Sequence, residues 1–189
     1  MATFQFKIQL KNVEPPVWRR LVVPSNITFR SFHHVIQAAF GWGNYHLYQF
    51  SPKGWGSMPA IQAQIGDDLE LTLDSETVLL PDIITHEGQA LVYIYDFGDD
   101  WQHQIKLENI SEQAVRIPLC TGGEGACPPE DCGGPPGYML LQETLANSKN
   151  PEYKDMREWL GLAKGEKWDV KNAFNMAAVN NVLRSMCAP

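Results

Sequence analysis

Leu91–Leu107 reads LVYIYDFGDDWQHQIKL, and its two halves alternate on either side of a turn. Leu91, Tyr93, Tyr95 and Phe97 share one face of a first strand, and Trp101, His103, Ile105 and Leu107 share one face of a second. Gly98-Asp99-Asp100 between them suit a tight turn, so the segment predicts an antiparallel hairpin. Its other face carries Gln102, Gln104, Lys106 and Glu108 and is therefore wet, as an antiparallel sheet permits when one side alone covers the core.

The same period of two appears upstream. Phe4, Phe6, Ile8 and Leu10 alternate with polar residues, Glu14-Pro15-Pro16 turns the chain, and Val17 to Val23 returns as a second strand. Thr28 is suited to cap a helix that runs to Phe40 and stops at Gly41, with Phe29, Phe32, Ile36, Ala39 and Phe40 as its apolar stripe. Tyr45 to Phe50 reads as a third strand, so residues 1–53 form a ββαβ unit. Asp68 to Leu73 predicts a short strand, and Leu79 to Thr85 a single helical turn.

Downstream, Val115 to Leu119 predicts one more strand, leading into CTGGEGACPPEDCGGPPGY at Cys120–Tyr138. Ten of those nineteen residues are glycine or proline, which excludes a helix or a central strand and implies a shaped loop. Ordered loops of this length usually serve a function. Helices are expected over Tyr138–Asn147, from Asn150-Pro151-Glu152 to near Gly161, and from Asp169 to about Met186. The expected fold class is α+β, an antiparallel or mixed sheet with helices around and after it. It is read as a single domain over 1–189, with strands and the glycine-proline loop in 54–137 and helices in 138–189.

With 44% hydrophobic residues the chain has material for a core without disulfide or metal staples. No apolar run approaches a membrane span and no secretion leader is visible, so a cytoplasmic location and no membrane partner are expected. Four cysteines there imply thiols or a metal rather than disulfides. The net charge of −7 is unevenly spread: residues 54–148 hold sixteen acids and two bases, whereas residues 1–53 hold six bases and one acid. Wholesale nucleic-acid binding is thereby disfavoured, and a local contact is confined to the basic N-terminal hairpin and its helix, through Lys7, Lys11, Arg19, Arg20 and Arg30. Ordinary solvated charges explain the same residues.

Two stretches concentrate chemistry. Cys120, Cys127 and Cys132 with His103 make a candidate zinc set, since thiolates and imidazole are the metal's preferred donors. The usual C-x2-C knuckle is absent, and small residues in a crowded loop account for the cysteines equally well. Asp96, Asp99, His103, Glu130 and Asp131 form a second candidate set, able to hold a divalent cation or to act as acid and base in a metal-dependent hydrolase. Aspartates at turns also bond their own backbone, which is the competing reading. His33 and His46 could lie near each other, and Cys187 is set aside as incidental. Asp96-Phe97-Gly98 has no nucleotide loop to accompany it, and no phosphate loop, G-x-S-x-G or H-E-x-x-H is present.

Pro15-Pro16-Val17-Trp18-Arg19-Arg20, Phe32-His33 with Ile36-Gln37, Gly41-Trp42 with His46-Leu47, Tyr95–His103 and Cys127–Gly134 occur in this order. As a set they resemble the Ri-plasmid ORF-three-like family, whose members include insertion-element passenger proteins labelled resolvase-like. The resemblance runs from about residue 3 to residue 185. It implies a mobile-element setting, supports the fold unit and the location of the site, and carries no established activity; a binding or accessory role around the shaped loop and hairpin is the expectation. A serine resolvase needs an activated serine beside an arginine cluster, which this chain lacks. Whether the protein is an enzyme is left open by the sequence.

Overall fold

A computed structural model describes residues 2–63, 72–169 and 173–186. The alternating stretches become strands. β1 (Thr3–Leu10) and β2 (Trp18–Pro24) form the first hairpin, and α1 (Phe29–Phe40) follows. The Thr28 hydroxyl accepts from the Ser31 amide to cap α1, and Gly41 ends it at φ 90°. β3 (Tyr48–Ser51), β4 (Ala60–Gln62), β5 (Thr72–Asp74) and the one-turn α2 (Leu80–Ile83) come next. Then come β6 (Ala90–Tyr95), β7 (Trp101–Ser111), β8 (Leu119–Glu124), α3 (Gly134–Ala146), α4 (Tyr153–Trp159) and α5 (Met176–Ser185).

The fold is α+β, with one mixed sheet in the order β5-β4-β3-β6-β7-β1-β2-β8. Every neighbouring pair is antiparallel except β4 and β5. The hairpin β6–β7 thus sits at the centre and separates β3 from the β1–β2 hairpin that precedes it in the chain. Period two decides which side of the sheet is dry. Phe6, Ile8, Leu21, Tyr93, Trp101 and Ile105 are buried, and α1 packs on them through Phe29, Phe32 and Ile36. Phe32 stands 4.8 Å from Phe6 and 6.0 Å from Phe50, ring centre to ring centre. Tyr138 of α3 meets Trp101, and Asn180 of α5 bonds both the N–H and the C=O of Cys120 on the same dry side. Among the described residues no helix is long and apolar enough to cross a membrane.

Four expectations need correction. The last strand runs over Leu119–Glu124 rather than Val115–Leu119, so the glycine-proline segment begins as an edge strand. Glycine is required there because a Cβ on Gly123 would lie 2.6 Å from the Phe174 ring and 2.9 Å from the Trp18 carbonyl oxygen. At its other end the segment becomes α3 four residues earlier than expected. Pro135 and Pro136 fall in the first turn, where missing N–H groups cost nothing. The last helix starts at Met176, capped by Asn175 in place of Asp169. The third strand starts at Tyr48, since Asn44 at φ 59° holds the chain in a loop before it. Of the strand expected over Asp68–Leu73, residues 68–71 lie outside the described residues, as does Cys187.

Candidate metal centre

Asp96 follows β6 directly and adopts φ 55°, a left-handed conformation that aspartate tolerates better than most residues. Its Oδ1 accepts from the Gly98 amide at 2.9 Å and the Asp99 amide at 3.3 Å, an Asx turn that shapes the hairpin. Its own N–H donates to the Leu47 carbonyl at 2.9 Å and ties the hairpin to the loop after α1. Oδ2 then faces His46, 3.6 Å from Nε2.

The loop after α1 also grips the glycine-proline segment. The Trp42 indole N–H donates to the Pro128 carbonyl at 2.9 Å, and the Gly43 amide donates to Glu130 Oε1 at 2.8 Å. The Tyr95 hydroxyl donates to that same Oε1 at 3.0 Å while accepting from the Tyr45 amide. Burial, followed by its contact with Glu130, raises the Tyr95 pKa, which keeps the phenol a donor. With Oε1 doubly bonded, Glu130 Oε2 points inward, 3.9 Å from His46 Nε2. Asp131, left-handed at φ 56°, brings Oδ1 to 3.2 Å from the same nitrogen.

His46, Asp96 and Asp131 therefore offer ligand atoms that all lie within 4.8 Å of one another. Among the described residues no other group of three His, Cys, Asp or Glu side chains does so. His46 Nε2 and Glu130 Oε2 are both buried without a hydrogen-bond partner. Trp101 Nε1, His103 Nε2 and Gln142 Nε2 are likewise unpartnered, but only His46 Nε2 and Glu130 Oε2 lie 3.9 Å apart with Asp96 and Asp131 oxygens beside them, so these two are placed to share one partner. One imidazole surrounded by carboxylates is a donor set suited to a first-row divalent cation. The nitrogen turns it away from the all-oxygen sites of calcium and magnesium.

Of the hydrolase set, the fold brings together Asp96, Glu130 and Asp131 and leaves out the other two. Asp99 Oδ2 accepts from the Gly133 amide at 3.1 Å and buttresses the loop instead. His103 lies on the dry side of β7, fully buried, with rings of Phe40, Trp42 and Tyr93 around it. Its Nδ1 sits 3.1 Å from the Trp101 carbonyl oxygen, and burial pulls its pKa down to about 3. The cysteine set does not assemble either. Cys120 is buried and its thiol donates to the Gly122 carbonyl, while burial raises the Cys127 pKa well above its usual range. Burial, with the nearby acids, pushes Cys132 up to about 12 and raises Cys120 too, and among the described residues no cysteine belongs to a close group of three potential ligands. His33 is a buried packing residue, stacked on Tyr48 and bonded to Tyr93 Oη and Asn44 Oδ1.

The basic set also divides. Arg19 is 3% exposed and donates to the carbonyls of Trp18, Ala39, Glu124 and Gly125, so it serves the core and is withdrawn from any surface. Arg30 pairs with Glu76 beside a cavity of about 490 Å³, whose wall includes His34, Asn44, His46 and Tyr48. Lys7, Lys11 and Arg20 remain on the open side of the sheet.

Sequence reasoning passed over His46 as a ligand for want of a spacing signal. Its place is set by the left-handed Asn44 and by the Asp96 amide, which bonds the next residue. The pairing of Gly41-Trp42 and His46-Leu47 with the DFGDDWQH and CPPEDCGG segments was the one available clue, because these are the pieces that meet here.

A sheet covered by helices on one side, with a histidine–carboxylate cluster where three connecting segments join, describes the class of protein. The family model described as plasmid pRiA4b ORF-3-like protein matches residues 2–178, and the chain belongs to that family. It is 38% identical over 190 residues to the uncharacterised protein y4hQ of Sinorhizobium fredii (strain NBRC 101917 / NGR234), across 99% of this chain and 93% of the relative. The crystal structure of a protein of unknown function, MM3350 from Methanosarcina mazei Go1, superposes with a TM-score of 0.80 at 34% identity. That match covers 93% of this chain and 96% of the other.

Proposed function

We propose that the protein is a divalent-cation-binding module, in which His46, Asp96 and Asp131 are the ligands and Glu130 is the fourth. The carrying observation is the pair of buried, unpartnered atoms, His46 Nε2 and Glu130 Oε2, facing one another among the oxygens of Asp96 and Asp131. A cation there satisfies both atoms and neutralises the carboxylates. Zinc and manganese fit the mixed nitrogen and oxygen donors. Tyr95 and the Gly43 amide hold Glu130 in the orientation that a ligand needs, the outer-shell support that metal sites usually show. A binding or accessory role, as expected of a mobile-element passenger, needs nothing further.

Calorimetric titration of chelator-treated protein with zinc or manganese tests the proposal. One ion per chain is expected, with Glu130→Gln or His46→Gln weakening binding by about tenfold or more, and Cys127→Ser leaving it intact. Binding that survives both ligand substitutions and disappears with Cys127→Ser would move the site back to the cysteines. No binding at all would leave a histidine–carboxylate ion pair as the explanation of the cluster.

A metal-dependent hydrolase is the second reading, favoured by one observation. The Asp131 side chain is 72% exposed and His46 lines the neighbouring cavity, so a cation here keeps a position open to water. Release of p-nitrophenol from a phosphoester by the metal-loaded protein, lost with Glu130→Gln, separates this reading from simple binding.

A further inference from the structure

The side of the sheet turned away from α1 carries a row of like charges. Lys7 pairs directly with Arg20 across β1 and β2, and directly with Lys106 across β1 and β7. Like charges placed opposite each other on neighbouring strands destabilise a sheet. Here two such pairs lie side by side, Lys106 to Lys7 and Lys7 to Arg20. Glu108 offsets part of the row, holding Arg20 through Nε at 2.6 Å and Nη2 at 3.1 Å and lying close enough to Lys7 to feel its charge. Among the described residues neither lysine forms an ion pair. Trp18 lies on the same side, over Gly122, with Lys7 and Arg20 5.2 and 5.3 Å from its ring centre. Gln9 and Gln104, which pair across β1 and β7, continue the face with amide groups that both donate and accept.

We propose that this open face binds single-stranded nucleic acid, with Lys106, Lys7 and Arg20 contacting its phosphates. The row loses its mutual repulsion when an anion with charges at regular intervals lies across it. A flat face of strands does not enter a duplex groove, which admits a helix or a narrow ribbon. Single strands instead lie across sheet surfaces that combine cations with aromatic and amide side chains, as this one does. The acids of the cation centre belong to the connecting segments, and the two acids on this face are engaged within it, Glu108 by Arg20 and Glu124 by the Trp18 indole N–H. The proposal uses no residue of that centre and stands apart from the metal reading.

Fluorescence anisotropy with labelled single-stranded DNA and the same sequence as RNA tests it, with a duplex and phosphatidylserine vesicles as comparators. Binding of one or both single strands is expected at about 50 mM salt, weakening linearly in log–log form as salt rises. The double substitution Lys7→Gln and Lys106→Gln is expected to lower affinity about tenfold and to reduce the salt slope by roughly 1.4, about 0.7 for each lost phosphate contact. Its melting temperature should equal or exceed the parent's, because repulsion is removed, so loss of binding is separable from loss of fold. Substituting Lys154 and Lys164, in and after α4, should leave affinity unchanged. Absence of single-strand binding at low salt overturns the proposal, as does preference for vesicles or an equal loss with the α4 pair.

Discussion

His103 and His33 are neutral imidazoles locked inside the molecule, and burial holds the pKa of each near 3. In the unfolded chain both take a proton near pH 6.5. Between those values the unfolded state binds more protons than the native one, so native stability is full above about pH 6.5 and falls progressively toward pH 3. Replacing His103 with Phe removes one of the two groups. Urea unfolding at a series of pH values is expected to show the slope of stability against pH in that window fall by about one proton, with His33, the burial-lowered His34 and the Arg20-paired Glu108 supplying what remains. An unchanged slope would mean that His103 titrates alike in both states. The same burial explains why His103 attracted attention in the sequence and yet has no part in the cluster. A histidine two residues after a tryptophan on one strand face goes wherever the tryptophan goes, which here is the core.

At the level of elements, α3 shows how tightly the cluster is framed. A Cβ on Gly137 would overlap the Cys132 carbonyl oxygen, one residue beyond Asp131, and a Cβ on Gly134 would overlap the Asp99 carbonyl oxygen. Gly137→Ala is expected to cost about 1–3 kcal/mol by overpacking, read as a lower urea midpoint, and to weaken metal binding because the first turn of α3 must move away from Asp131. A midpoint equal to the parent's would show that the turn relaxes freely. These glycines also mark where the sequence stops being readable. Alternation made β1, β6 and β7 plain, and Thr28 with Gly41 bounded α1, because these signals are local. β8 and the start of α3 hide inside a run of glycine and proline. There the residues were chosen for close approach to Phe174, Cys132 and Asp99, contacts that no local pattern contains. Of the site, Asp96, Glu130 and Asp131 were legible as acids beside turns. Their partner was not, since His46 is delivered by a loop whose path depends on a left-handed asparagine.

Across the whole molecule the cluster draws on residue 46 after α1, residue 96 at the central hairpin and residues 130–131 before α3. An ion bound there links segments that separate on unfolding, so it binds the native state alone. At about a hundredfold excess over its dissociation constant it should add about 2.7 kcal/mol, raising the melting temperature by roughly 5–10 °C for a chain of this size. Scanning calorimetry with zinc or manganese checks this, and chelator should reverse the shift. An equal rise in the Glu130→Gln variant would place the ion elsewhere. β7 begins at Trp101, opposite the Tyr95 that precedes Asp96, and carries Lys106 five residues further on, about 17 Å away at roughly 3.4 Å per residue. Being paired on both flanks, by β6 and β1, it cannot flex over that distance. Were an ion to occupy the proposed centre and a phosphate to lie on Lys106, the strand would act as a ruler and hold the two at a fixed separation, whichever arrived first.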